Sequence, residues 1–533
     1  MNKIFYKAAL VLLLGGSVTS CTKNLDRFPT NDITSETVYK TFEGYQQAFA
    51  KVYGCFALTG NSGPAGNGDV QGIDEGTSDF LRLYWWVQEI TTDEAVVQVG
   101  WNDPGIHFFH PMNWTTDNVI LKGVYYRSFY QISLANEFMR QSTDAKLSER
   151  GFTGEQANTI RKYSLEARFL RAYQYSVLMD LFGNVPFVTE NDLPGSSLPR
   201  QIQRADLFDY VESELLDLEN KLVPARTNEY GRADQTAARA LLARIYLNAN
   251  VYTGEARYRD AATYAQKVLS DGYTLIPDYR QLMLADNHTN TNEFILTINY
   301  DGIRTKGYGG TTFLTHATVG GSMTASNYGI GGGWGGIRTT SSIPGLFADI
   351  SGGTDQRAQF YTNGQTLDLS GEPAPAFTEG YAITKYRNLT KTGAQGSSPD
   401  FSDIDFPIFR TAEQYLIYAE AVLRDPSAGD RATALNYINT LRTRAYGGST
   451  SGNITDSDLT LDFIIDERGR ELCWEGFRRT DLIRFDRFTE DTYLWPWKGG
   501  VSSGTGVPSF RKLFPIPIAD INSNTNLVQN PGY

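Results

Sequence analysis

Apolar positions recur along much of the chain at helical spacing. In NTIRKYSLEARFLRAYQYSVLMDLFG, Leu165, Phe169, Ala172, Tyr173 and Ser176 fall on one face, with Gly183 as a C-terminal stop and Pro186 just beyond. DLFDYVESELLDLENKL carries a second stripe, Leu207, Val211, Leu215, Leu218 and Leu222, with acidic residues opposite. Two shorter segments, TAARALLARIYLNAN and YRDAATYAQKVLSDG, set Ala238, Leu242 and Ile245 against Ala262, Ala265 and Leu269 across a short loop. Far downstream, TAEQYLIYAEAVLR and ATALNYINTLRTRA repeat the arrangement, with Leu416, Ala419 and Leu423 facing Ala434, Ile438 and Leu441.

Small residues at such seams let two helices approach closely, and the pairs resemble degenerate tetratricopeptide units separated by long insertions. The expectation is a mainly α protein: a helix-pair scaffold over about 118–290 and 405–490, in one domain spanning 21–533. Two stretches break the pattern. Residues 60–117 are loop-rich, then aromatic through FLRLYWWVQEI; residues 295–405 mix β-prone runs with Gly-rich turns such as GIGGGWGGIRTT. Loops this long inside a compact protein are functional or disordered, and the recurring Tyr and Trp argue for function.

Composition narrows that function. The formal charge is −12, with 31 Tyr, 8 Trp and 51 Gly against only 20% charged residues. Such an acidic chain is a poor nucleic-acid binder, while aromatics with a polar tip suit a wet ligand surface. The N-terminus, MNKIFYKAALVLLLGGSVTSC, reads as a signal peptide over residues 1–20, with Lys3 and Lys7 ahead of an apolar run too short to span a bilayer. Val18-Thr19-Ser20-Cys21 looks like a bacterial lipobox, so Cys21 is expected to be lipidated and the membrane reached through that anchor alone; the alternative is ordinary cleavage with Cys21 unmodified. Removing the leader takes two lysines and moves the charge to about −14. Cys55 and Cys473 then remain and are expected to be buried free thiols.

Four blocks in order resemble the SusD/RagB family of outer-membrane nutrient-binding lipoproteins: CTKNLDRFPTNDITSETVYKTFEGYQQAFAKVYG, EARFLRAYQYSVLMDLFGNVPFV, DERGRELCWEGFRRTDLIRF and the closing LFPIPIADINSNTNLVQNPGY. The resemblance implies a helical scaffold whose insertions form a ligand face. It also implies a cell-surface position at the outer membrane, a SusC-like TonB-dependent transporter as partner, and no enzymatic activity.

A sugar presents apolar C–H faces and hydroxyl-crowded edges, so its binder needs flat rings beside polar forks. Trp101, Tyr308 and Trp334, each flanked by glycines, are the candidate platforms. Similar aromatics in the starch-binding branch of the family form an arc along an α-glucan, and the resemblance carries Asp74, Arg82 and Asn102 over as polar partners. Trp85 and Trp86, in a denser apolar run, are expected in the core. The ligand expected is starch or maltooligosaccharide; another glycan or peptides, and more distantly a surface glycoside hydrolase, are the alternatives.

Other constellations read more plainly. The acid pair Asp93-Glu94 is adjacent in sequence, which says nothing of a glycosidase's carboxylate separation, and Glu467, Arg468, Arg470 and Glu471 are expected to form structural ion pairs. His107 and His110 lack further zinc ligands. Asp286, Asn287 and Glu293 offer oxygens for a structural calcium but lie in what reads first as a capped polar loop. No cofactor is expected.

Overall fold

The structure is a computed structural model that describes residues 35–66 and 68–533. The leader and Cys21 lie outside the described residues. The chain divides into a short unit ending at Ala48, which holds the Ser35–Val38 helix and the start of the Phe42–Gly54 helix, and one large unit from Phe49 to Tyr533.

The large unit is built on helices that pack in succession. Val119–Gln141 lies against Gly154–Phe182, which packs on Arg204–Leu218; then follow Gln235–Leu247, Tyr258–Ser270, Thr411–Arg424 and Arg431–Ala445, each against its predecessor. Polar caps start several of them. Asn118 accepts from the N–H groups of Ile120 and Leu121, Asp234 from Thr236 and Ala237, and Asp430 from Thr433, satisfying donors that the helix leaves unpaired. Gly183 ends the long helix at φ 71°, a conformation costly for a side chain with a Cβ. The two hairpins predicted far apart in sequence meet through Tyr258–Ser270 and Thr411–Arg424, which makes the tetratricopeptide-like stack continuous in space.

Three details differ from the stripes read from sequence. From Phe169 to Phe182 the long helix is buried on every side, because neighbours cover it front and back; its polar residues bond inside, Gln174 to Gln131 and Asp180 to Arg479 and Gln88. On Tyr258–Ser270 the seam is centred on Ala261, Ala265 and Val268, which leaves Leu269 at the rim. Leu423 is likewise only half-buried near the end of its helix.

The insertions are tied down by short antiparallel ribbons. Phe294–Ile298 pairs with Phe406–Arg410, Phe294 opposite Arg410 and Ile298 opposite Phe406, so the excursion between them starts and ends at adjacent strands. Val96–Val97 pairs with Ile337–Arg338, which joins the first insertion to the second. Below them lies a buried ionic cluster. Arg410 holds Glu293, Glu471 and Glu475, while Arg357 holds Asp355 and Glu467. Glu467 also takes Arg470, and Arg468 pairs with Asp481, the structural role expected of that helix. Cys55 and Cys473 are buried free thiols. No helix among the described residues is long and apolar enough to cross a membrane.

Candidate functional site

The joined insertions bring together the three rings singled out by sequence. Trp101 and Trp334 have centroids 6.1 Å apart with planes at 53°, and Trp334 and Tyr308 are 6.4 Å apart at 64°. Phe401 continues the series, 5.8 Å from Tyr308 at 42°. Tyr308 and Trp334 are 38% and 37% exposed, enough ring face to receive a ligand; Trp101 and Phe401 are half-buried.

Local sequence explains the poise of each ring. The glycine run around Trp334 does more than clear space. The N–H groups of Trp334, Gly335 and Gly336 donate to the carbonyls of His316, Val319 and Ala317, and a Cβ on Gly333 would stand 2.0 Å from the Val319 oxygen. The loop is therefore pressed onto the end of the Gly310–His316 helix, and the Trp334 ring stacks on His316 at 4.9 Å and 27°. Burial lowers the His316 pKa, so the imidazole under the indole is neutral. Trp101 packs against Gly336, where a Cβ would stand 1.6 Å from a carbon of its ring. Phe401 sits on a loop organised by buried Asn388, whose amide donates to the Ser398 carbonyl and accepts from the Asp403 N–H.

Behind the rings stands Arg82, 3% exposed. One nitrogen donates to Asp103 at 2.5 Å and another to the Tyr308 carbonyl at 2.7 Å, while the same Asp103 oxygen accepts the Trp101 indole N–H at 2.5 Å. The guanidinium carbon lies 4.5 Å from the Trp86 ring, 4.7 Å from Phe313, 5.5 Å from Trp101 and 5.9 Å from Trp334. Burial pulls its pKa down and Asp103 and Asp79 push back. The structure thus sets Arg82 as the post on which the platforms hang. Trp85 and Trp86 are core residues, as expected.

The other two polar candidates are at the surface. Asn102 is exposed beside Trp101, and its amide has no hydrogen bond among the described residues. Asp74 is exposed in a tight turn: one carboxylate oxygen accepts from the N–H groups of Gly76 and Thr77 and from the Thr77 hydroxyl, which leaves the other open to solvent. That turn backs onto Tyr308, whose ring lies 3.6 Å from where a Cβ on Gly76 would sit. All six candidates therefore belong to one neighbourhood.

Sequence reading missed Asp103, His316 and Phe401. Asp103 is legible in hindsight as the acceptor two residues after Trp101, and Phe401 as an isolated ring in the polar run SSPDFSD; nothing in sequence places His316 beneath Trp334.

The bland constellations stay bland. Asp93 is fully buried; although burial opposes it, the bidentate Arg478 and the Tyr493 hydroxyl hold its carboxyl below the usual range. Burial pushes neighbouring Glu94 up to about 7. Neither faces the ring arc. His110 is buried against the Pro496 carbonyl. The calcium alternative is corrected: Glu293 turns inward to Arg410 and Arg444, Asn287 bonds the backbone of Leu282 and Asp405, and Asp286 accepts from the Lys391 N–H, so the three do not converge. Among the described residues no cluster of His, Cys, Asp and Glu is arranged to hold a metal.

A helical-hairpin scaffold that presents a row of partly exposed aromatic rings is the framework of a ligand-binding face. The chain belongs to the SusD family. It is 34% identical to the starch-binding protein SusD of Bacteroides thetaiotaomicron, with 100% of this chain and 99% of that relative covered. It is 28% identical to SusD-like protein P2 of Formosa agariphila over 78% of this chain and 81% of the relative. The profile described as SusD family matches residues 359–533, and one described as starch-binding, associating with outer membrane, matches 86–247. Among solved structures, surface glycan-binding protein A of Bacteroides thetaiotaomicron in complex with laminarihexaose superposes with TM-score 0.68 at 22% identity, covering 92% of this chain and 99% of that one. A SusD-superfamily protein from the same organism gives 0.69 at 19%, covering 92% and 100%. These likenesses establish the fold.

Proposed function

We propose that this protein captures an α-glucan, starch or its maltooligosaccharides, at the cell surface and delivers it to a SusC-type TonB-dependent transporter without cleaving it. The observation that carries the reading is the row of mutually inclined rings. Neighbouring planes are inclined by 53° and 64° at 6.1 and 6.4 Å, so the rings do not form one flat platform, which suits a curved glucan better than a flat, extended chain. Asn102 and the open oxygen of Asp74 flank the row as polar partners for sugar hydroxyls. The name of the 34% identical relative supports starch; the laminarihexaose in complex with a structural neighbour makes another glycan the second reading. Lipidated Cys21 tethers the 21–533 body to the outer face of the outer membrane in this reading.

Affinity gels containing amylopectin or laminarin test it, with reducing-end assays alongside. The parent protein is expected to be retarded by amylopectin and to generate no new reducing ends, and Trp334→Ala to run about 2- to 12-fold weaker, since it removes the central platform. Retardation by laminarin alone would move the ligand to the second reading. New reducing ends, or undiminished binding by Trp334→Ala, would overturn the proposal. Protease shaving of intact cells checks the surface position.

A further inference from the structure

Near the ring row lies a cavity of about 300 Å³ whose lining includes none of the three platform rings. Two of its lining residues adjoin the row. Asp103, in its wall, carries the Trp101 indole N–H, and Asp74, at its edge, belongs to the turn that backs onto Tyr308. Its lining therefore includes residues that adjoin both Trp101 and Tyr308. The rest of the wall is largely apolar and includes Trp86, Pro104, Val119 and Ile120; Val119 is 42% exposed, an apolar side chain left open on the surface.

The polar groups of the lining set the chemistry. Asp74 spends one oxygen on its own turn and Asp103 spends one on Arg82 and Trp101, and in each the second oxygen has no hydrogen bond among the described residues. Both free groups are acceptors, so the occupant must donate. Two carboxylates are set against the Arg82 guanidinium and the Lys122 ammonium, which lies 3.6 Å from where a Cβ on the lining residue Gly72 would sit, so the charges balance and a neutral, hydroxyl-rich occupant is favoured. Apolar walls suit the C–H face of a pyranose. The volume is at the low end of small-molecule pockets, about 300–1,000 Å³, which fits one pendant unit rather than a second chain.

We propose that this cavity is a subsite for a single-unit branch on a neutral glucan, so that the protein prefers branched to linear chains. The inference rests on the glucan reading of the ring row and adds a second determinant to it. The test is calorimetric titration of the intact protein with a linear α-1,4 heptasaccharide and with the same backbone bearing one α-1,6-linked glucosyl unit. One or two added hydrogen bonds with modest packing predict that the branched ligand binds about 3- to 10-fold tighter. Val119→Trp fills the cavity from the first, exposed residue of its helix, and Pro104→Trp fills it from a second lining residue outside that helix. Each is expected to keep the parent's affinity for the linear chain and its thermal midpoint, and to lose the branch preference.

If the parent does not bind the linear chain, the glucan reading fails. If it binds the linear chain but gains nothing from the branch, or if both filled variants keep the gain, the subsite is overturned. Equal loss of linear and branched binding in both filled variants would overturn it as well, by making the cavity wall a mere support of the rings.

Discussion

Replacing Arg82 by Met removes the charge from the centre of the site and nearly preserves the length and bulk of the side chain. Two hydrogen bonds vanish, one to Asp103 at 2.5 Å and one to the Tyr308 carbonyl at 2.7 Å. Bonds to a charged group are worth about 1.5–3 kcal/mol each. Asp103 keeps 22% of its side chain in solvent, so water recovers part of its loss, and we expect the fold to be destabilised by about 3 kcal/mol. Binding should suffer as well, because Trp101 is steered through Asp103 and Tyr308 through its own carbonyl. If both rings leave their registers while Trp334 stays on His316, two platforms worth about 0.5–1.5 kcal/mol each are lost, a fall in affinity of about tenfold or more. Urea denaturation gives the first quantity and affinity electrophoresis on amylopectin the second. A variant as stable and as tightly binding as the parent would refute the reasoning. So would lost affinity with stability untouched, because that pattern belongs to a guanidinium that contacts the ligand rather than one buried behind the rings.

Two further outcomes follow from the same geometry. Gly336→Ala would place a Cβ within 1.6 Å of the Trp101 ring, so the indole must swing away; we expect a stability loss of about 1–3 kcal/mol, an altered near-ultraviolet tryptophan dichroism and binding weakened about tenfold. Asp79 caps the Phe80–Trp85 helix by accepting the Arg82 N–H, and burial lifts its pKa from 3.8 to about 7. Because the folded-state value is the higher one, protonation favours the fold: the penalty is absent below about pH 4, grows between about 4 and 7 and is full above that. Asp79→Asn keeps the cap's acceptor without the charge. It should therefore match the parent near pH 4 and exceed it at pH 8 by up to about 4 kcal/mol, read from melting curves at the two pH values; an equal effect at both would contradict the assignment.

The scaffold was legible because helical periodicity is a local signal. Leu207, Val211, Leu215 and Leu218 are all buried as the stripe required, and the two hairpins pack as their small residues indicated. Sequence misjudged the long helix beyond Phe169, since nothing local reports that neighbours cover both faces. The rings were legible as types, solitary aromatics among glycines, and the structure gathers them into one row. The role of the glycines was not, because close approach to the backbone of residues 316–319 is a relation between distant segments. Arg82 shows the limit most clearly: resemblance placed it in the site, and only the three-dimensional arrangement shows it behind the platforms.

The pairing of Val96–Val97 with Ile337–Arg338 bears on how such a binding face diversifies. The ribbon formed by Phe294–Ile298 and Phe406–Arg410 would by itself make the second insertion an interchangeable cassette, closed at its stem and replaceable without disturbing the helices. The other pairing forbids that shortcut. An exchanged second insertion must still present an edge to residues 96–97, and its glycines must still receive Trp101. Divergence towards a new ligand, or an engineered graft, therefore has to carry both insertions as one heritable unit, and a chimaera that swaps only one should lose recognition before it loses its helical body.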